Sequence, residues 1–79
     1  MRTTLNKRLH ERALGIIDMI ETAEKRIKDQ YKNSKMYREM GFDQAETRCL
    51  DRMKNHRAAI ERLEKSYQDT INTINTFKQ

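Results

Sequence analysis

The 79-residue sequence contains no proline and no tryptophan, and it has only two glycines and one cysteine. Because proline is absent, nothing in the chain removes a backbone donor from a helix interior, and long continuous helices are expected. A single cysteine cannot form a disulfide within the chain, and a lone thiol is typical of a reducing compartment. We therefore predict a cytoplasmic protein in which Cys49 is a small core residue.

Long hydrophobic runs are also missing. Only 35% of the residues are hydrophobic, whereas 37% are charged. The longest apolar stretch, around Ala13 to Ile17, is far shorter than the roughly 20 residues that cross a bilayer. We expect neither a membrane span nor a signal-peptide core. A chain of this size buries only a small core, so it commonly needs a partner for stability.

Catalytic and metal-binding motifs are absent as well. The sequence has no glycine-rich phosphate loop, no nucleophile elbow and no paired cysteines. Cys49 and His56 are seven residues apart, on one face of a predicted helix, but one copy of each cannot complete a zinc site. We expect no catalytic residue, no metal and no cofactor, and hence a protein that is not an enzyme.

The second half of the sequence carries a heptad repeat. Its members recur at alternating steps of four and three residues, with one charged interruption at Glu46. A period of 3.5 residues is typical of a helix that supercoils against another helix. The stripe consists of Phe42, Cys49, Met53, His56, Ile60, Leu63, Tyr67, Thr70, Ile74 and Phe77.

The first half repeats in the same way. Its stripe consists of Leu9, Ala13, Ile16, Ile20, Ala23 and Ile27, extended by Leu5 and Tyr31. The apolar pattern lapses from Lys32 to Lys35. We predict one continuous helix, and the alternative is a kink or a restart at Ser34. Gly15 lies inside this helix, where it costs stability but permits a close approach between helices.

The helix boundaries follow from capping signals. Thr3 or Thr4 is the predicted N-cap of the first helix. Gly41 is the predicted C′ residue, because glycine accepts the left-handed conformation. Asp43 and Glu46 are spaced as the N-cap and N3 residues of a capping box. The predicted fold is all-α: a single antiparallel two-helix hairpin, coiled-coil-like, with helices at about 4–40 and 44–77 and a turn at 41–43.

Apolar residues extend beyond the narrow seam of heptad positions a and d. Four of them lie at the neighbouring e position, which indicates a core wider than two helices supply. These residues are the predicted oligomer interface: Ile17, Tyr31, Leu50 and Ile71. We predict a homodimer that forms a four-helix bundle. The alternatives are a different protein that completes the core, or a monomer with a solvated second face.

The positive charge is concentrated near the turn. The formal net charge is +5, and the segment from Lys25 to Arg57 holds ten basic against five acidic residues. An antiparallel hairpin brings this segment to one end, as a basic patch that suits phosphates or an acidic protein surface. The predicted turn-end basic patch is Lys25, Lys28, Lys32, Lys35, Arg48, Arg52 and Arg57.

The charge and the stripes together predict a small helical binding module that acts stoichiometrically, as an adaptor or an inhibitor. Its turn-end basic patch would contact an anionic ligand or a protein surface. One alternative is a purely structural protein–protein module that docks an apolar helix face on another protein. Another is a nucleic-acid or nucleotide binder, and a third is that the charged face serves only solubility.

Two known kinds of small helical protein have a similar format. The segment from Gly41 to Thr47 is loosely similar to the turn of the sporulation aspartyl-phosphatase hairpins. Their Ser-Gln-Glu-Leu-Asp signature should follow, and here the residues are Arg48-Cys49-Leu50-Asp51-Arg52. We therefore assign no membership of that family. Small helical phage inhibitors of host defence also resemble this chain in size and style, which is an analogy of format.

Overall fold

The computed structural model describes the backbone of residues 2–78 and the side chains of residues 4–77. It contains two helices, α1 (Arg2–Glu39) and α2 (Asp43–Lys78). The helices pack against each other as a hairpin that measures 59 × 14 × 12 Å. The predicted all-α hairpin is confirmed, and each helix begins and ends within two residues of its predicted bounds. No helix between residues 2 and 78 is long and apolar enough to cross a membrane.

Helix α1 is continuous over 38 residues, so the alternative of a break at Ser34 is wrong. The heptad steps continue from Ile27 through Gln30, Ser34 and Tyr37, which are all at least partly buried. Ser34 is 5% exposed, and its hydroxyl donates a hydrogen bond of 2.7 Å to the Tyr31 carbonyl. The heptad spacing of buried residues therefore continues through Lys32 to Lys35, although the side chains at these positions are polar. The helix also begins at Arg2, ahead of the predicted N-cap, and the side chain of Thr3 lies outside the described residues.

The turn is a Schellman motif centred on Gly41. Gly41 has φ +77°, the left-handed conformation that glycine adopts without a steric penalty. The Phe42 amide donates to the Tyr37 carbonyl at 2.8 Å, and the Gly41 amide donates to the Arg38 carbonyl at 3.1 Å. The rings of Tyr37 and Phe42 pack with centroids 6.4 Å apart, which is the apolar contact that accompanies this motif. Phe42 is 52% exposed, so its predicted place in the seam is wrong, because it covers the turn instead.

Helix α2 starts one residue earlier than the capping signal suggested. The Glu46 amide donates to the Phe42 carbonyl at 3.0 Å, so Phe42 occupies the N-cap position and Asp43 is the first helical residue. The predicted capping box of Asp43 and Glu46 is therefore wrong. Both carboxylates still lie in the first turn, where the helix dipole favours negative charge.

The core is a single seam between the helices. The heptad stripe predicted for α2 is confirmed from Cys49 to Ile74, because every member is buried or half-buried. Cys49 itself is 3% exposed, in agreement with its predicted role as a small core residue. Four members of the predicted stripes are instead exposed, and they are Leu5, Tyr31, Phe42 and Phe77. Among the described side chains, the buried ones are Ala13, Ile16, Ala23, Ser34, Cys49, Met53, Thr70 and Ile74.

Polar atoms enter this seam at several positions. Thr70 is buried, and its hydroxyl donates 2.9 Å to the Ser66 carbonyl. Asn6 Oδ1, Gln30 Oε1 and Glu46 Oε2 are buried without a hydrogen-bond partner. Gln30, Ser34 and Glu46 all lie in the half of the hairpin next to the turn, so the seam is more polar there than in its middle.

Candidate functional site

The buried residues set the heptad letters and divide the surface into two flanks. Ala13 and Ile16 are positions a and d of α1, and Met53 and His56 are positions a and d of α2. Positions e of the two helices lie on one side of the seam, here called the e flank. Positions g and c lie on the opposite side, here called the g flank. The cavities agree with this division, because each groove is lined by matching letters from both helices.

The e flank carries the predicted oligomer interface. Tyr31 and Leu50 are 49% and 48% exposed, and both line a cavity of about 150 Å³. Ile17 and Ile71 are half-buried. The Lys35 Nζ atom lies 4.6 Å from the centroid of the Tyr31 ring, a distance at which the cation is attracted to the ring face. The four predicted residues thus share one flank, and two of them stay largely uncovered in the single hairpin.

The turn-end basic patch does not form one surface. All seven of its side chains are exposed, but their heptad positions face three directions. Lys25 and Lys32 lie at position f, on the back of α1. Lys28, Lys35 and Arg57 lie at positions b and e, on the side of the e flank. The remaining two residues lie on the g flank, and they are Arg48 and Arg52.

The g flank has a composition that the sequence analysis missed. Every lysine with a described side chain lies at position b or f, so the basic residues of this flank are all arginine. Among the side chains described on this flank there is no glutamate, and the acidic ones are Asp29 and Asp69. The arginines of the g flank are exposed, and they are Arg8, Arg12, Arg26, Arg48, Arg52 and Arg62. The separation of arginine from lysine is not visible when charges are summed over segments of the sequence. It becomes visible when each charged residue is assigned to its heptad position.

Exposed apolar side chains accompany these arginines. Met19 and Met36 are both exposed on the g flank, as are Leu5 and Met40 towards its two ends. Small or short side chains of α2 lie between the arginines of α1 and those of α2. Met19, Arg26 and Ala59 line one groove, and Arg12, Ser66 and Thr73 line another. The g flank is therefore an arginine- and methionine-rich face with two separate shallow grooves along the helix contact.

Histidine and cysteine do not form a ligand cluster. His56 is half-buried and lines the same groove as Arg26, while Cys49 is buried in the seam. Among the residues that the structure describes, no group of three or more His, Cys, Asp or Glu side chains is placed to hold a metal ion.

Comparisons with known protein families, with curated proteins and with solved structures give no match to this chain. The two flanks and the turn end are therefore the surfaces on which a function can be proposed.

Proposed function

We propose that this protein is a non-catalytic helical binding module that acts stoichiometrically, as an adaptor or an inhibitor. It self-associates through the e flank, and basic side chains of the turn-end basic patch, which face three directions, contact an anionic ligand or a protein surface. The observation that carries the proposal is the exposure of Tyr31 and Leu50 beside a shared cavity. Small helical chains gain stability by covering such residues with another surface.

The charges on the two flanks support self-association through the e flank. The e positions carry both signs, with Glu24 on α1, Glu64 on α2, and Arg57 on α2 at about the level of Glu24. Two copies of such a face can place opposite charges within reach of each other. Two copies of the g flank would instead oppose arginine with arginine, which costs free energy. A dimer through the e flank would be the four-helix bundle predicted from the sequence.

Light scattering tests the self-association. At tens of micromolar, the wild-type protein should have twice the 9.5 kDa mass of one chain. Tyr31→Lys combined with Leu50→Lys should return the mass of a monomer, because each lysine would be buried without a partner in the interface. Met19→Lys combined with Met36→Lys is the matched control, since both methionines are exposed on the opposite g flank. A wild-type protein that is a strict monomer would contradict this part of the proposal.

A salt series tests the turn-end basic patch. Labelled nucleotides, oligonucleotides and an acidic protein serve as probes, and binding that depends on the patch should weaken as salt rises. Lys28→Glu combined with Lys32→Glu should weaken that binding, and both lysines belong to the patch but not to the arginine-bearing positions of α2. Lys7→Glu combined with Lys65→Glu changes the net charge equally, but it lies away from the turn and should have little effect. Binding that is absent, or equal in both double variants, would remove the turn end from the proposal.

A second candidate is a structural module that docks the e flank on a different protein. The exposure of Tyr31 and Leu50 favours it as well, because the occupant of the flank need not be a second copy. A monomer in light scattering that loses a co-purified partner on Tyr31→Lys would favour this candidate. Direct binding of nucleotides or nucleic acid remains the third prediction, and the cytoplasmic location also stays a prediction.

A further inference from the structure

We propose that the g flank is the docking surface for an acidic amphipathic helix of a partner protein. The helix would lie along the groove between α1 and α2, with acidic side chains beside the arginine rows and apolar side chains on the methionines. The inference rests on the proposed function only in treating the protein as a binding module. It requires neither self-association nor the lysines of the turn-end basic patch.

The charge of the g flank selects an acidic occupant. Six exposed arginines stand there against two aspartates, without any glutamate or lysine. Guanidinium groups bind carboxylates in a bidentate geometry, and they are more weakly hydrated than ammonium groups, so arginine is the residue suited to ion pairs that become buried. The lysines, by contrast, lie at positions b and f. On a face that serves only solubility, arginine and lysine would be mixed. Their separation here favours a surface that recognises a partner.

The shape of the g flank fits a helix. Arg12 and Arg26 stand on the α1 side, two heptads apart, which corresponds to about 21 Å of helix. Arg48, Arg52 and Arg62 stand on the α2 side over a similar length. Small or short side chains form the floor between the rows, and they are Ala59, Ser66 and Thr73. The two rows are staggered along the rod, because Arg26 lines one groove with Ala59 and Arg12 lines another with Asp69. A partner helix of roughly 15 to 20 residues would reach Arg26, Arg52 and Arg62 together and pack along the contact between α1 and α2.

The exposed methionines favour a protein over a nucleic acid. Met19 is 58% exposed and lines the same groove as Arg26, and Met36 and Met40 are exposed further along the flank. Methionine and arginine are both enriched in protein interfaces, and methionine adapts its shape to varied apolar partners. A phosphodiester backbone has no apolar side chains with which to cover these residues. A second copy of the same flank is disfavoured by the repulsion between its arginines.

The test uses a designed peptide of about 20 residues as the probe. Leucines at i, i+3, i+4 and i+7 form one face of the peptide, glutamates flank them, and a fluorescent label reports binding by anisotropy. We expect saturable binding with one peptide per chain. Arg26→Glu combined with Arg52→Glu should weaken it by about tenfold or more, because two attractive pairs become repulsive. Lys7→Glu combined with Lys65→Glu, with the same change in net charge at exposed positions b and f, should leave it within about twofold.

Reversing the charges on both the protein and the peptide distinguishes lost recognition from lost stability, because a variant that is only less stable would not gain affinity for a basic peptide. The Arg26→Glu and Arg52→Glu variant should bind a peptide in which lysine replaces glutamate better than the wild-type protein does. Serine in place of the peptide's leucines, or Met19→Ser in the protein, should also weaken binding. The Tyr31→Lys and Leu50→Lys variant should bind the peptide normally, so a failure of self-association leaves this inference standing.

Three outcomes would overturn the inference. The lysine pair could reduce binding as much as the arginine pair, which would indicate attraction by net charge alone. The leucine-free peptide could bind as tightly as the amphipathic one, which would remove any role for the methionines. A 20-base-pair DNA duplex could bind more tightly than the peptide through the same arginines at equal salt, which would identify the g flank as a nucleic-acid surface.

Discussion

Glu46 illustrates how a single residue departs from the pattern around it. It interrupts the heptad stripe of α2, and its side chain is half-buried in the seam with Oε2 lacking a hydrogen-bond partner. Gln30 and Asn6 carry a similar buried oxygen in α1. A buried polar atom without a partner costs roughly 1 to 3 kcal/mol, and a polar residue in a seam restricts the registers that are available. The seam therefore has lower stability than an apolar one.

Replacing this carboxylate should stabilise the hairpin. Glu46→Leu removes the buried oxygen and adds an apolar side chain at a seam position, so the free energy of unfolding should rise by about 1 to 3 kcal/mol. Urea denaturation followed by circular dichroism measures the change. Glu61→Leu is the control, because Glu61 is exposed at position b and should change stability by less than about 0.5 kcal/mol. A loss of stability in Glu46→Leu would show that the carboxylate has a favourable partner.

The seam and its surroundings should also differ in their tolerance of truncation. Ile16 is 6% exposed and Leu14 is 63% exposed, although the two residues are close in sequence and similar in hydropathy. Ile16→Ala should cost about 2 to 5 kcal/mol, since it removes buried methyl groups and leaves a cavity. Leu14→Ala should cost less than about 0.5 kcal/mol. Equal losses in urea denaturation would mean that Leu14 is covered in solution, for example by a partner.

At the scale of elements, the turn ends α1 and starts α2 with very few residues. Three residues separate the helices, and the Schellman bonds satisfy carbonyl groups that the end of α1 leaves unpaired. The two glycines therefore have different roles. Gly41 is required for its φ of +77°, whereas a Cβ atom at Gly15 would meet nothing within 4 Å. The close approach between helices that was expected at Gly15 is not present.

The two glycines provide a matched pair of substitutions. Gly41→Ala should destabilise the hairpin by about 1 to 2 kcal/mol, because alanine is strained in the left-handed conformation. Gly15→Ala should stabilise it by about 1 kcal/mol, since it raises helix propensity in open space. Thermal unfolding at equal protein concentration compares the two variants. If both changes lowered the melting temperature, the environment of Gly15 would be more crowded than the hairpin indicates.

At the scale of the whole molecule, the two halves of the hairpin are unequal. The middle of the seam is filled by aliphatic and aromatic residues, such as Ile16, Ile20 and Tyr67. The half next to the turn contains Gln30, Ser34 and Glu46, and it also carries the excess of basic residues. Fewer apolar contacts and repulsion between like charges both lower the local stability there. The turn half is therefore the part of the rod that an anionic partner would stabilise most.

Hydrogen exchange can test this asymmetry. Backbone amides of residues 16–27 and 56–67 should be more protected than those of 31–38 and 47–50. Raising the salt concentration should increase protection mainly in the turn half, because screening reduces repulsion between its basic side chains. The Glu46→Leu variant should reduce the difference in amide protection between the middle of the hairpin and its turn half. Uniform protection along both helices, or stronger protection next to the turn, would contradict the prediction.

Sequence reasoning succeeded where apolar side chains mark the seam. The run from Cys49 to Ile74 is confirmed because hydropathy and register coincide there. It failed where polar residues occupy seam positions, since Gln30 and Ser34 give no hydropathy signal. It also failed at the ends, where Phe42 packs on Tyr37 across the turn and Phe77 lies beyond the covered part of the seam. In these cases the position in the hairpin, and not the residue type, decides burial.

By itself, the sequence determined that this chain forms two long helices joined at Gly41. Apolar residues with a 3.5-residue period indicate packed helices, and a glycine between the two periodic segments indicates where the first helix ends. Only the tertiary structure decided how the surface is divided. The antiparallel packing of α1 and α2 assigns the side chains beside the seam to one flank or the other, and it separates the turn-end lysines from Arg48 and Arg52. The sequence-based prediction had grouped them because they are neighbours along the chain. The structure separates these basic residues because successive side chains of a helix project in different directions, and only those beside the helix contact share a flank.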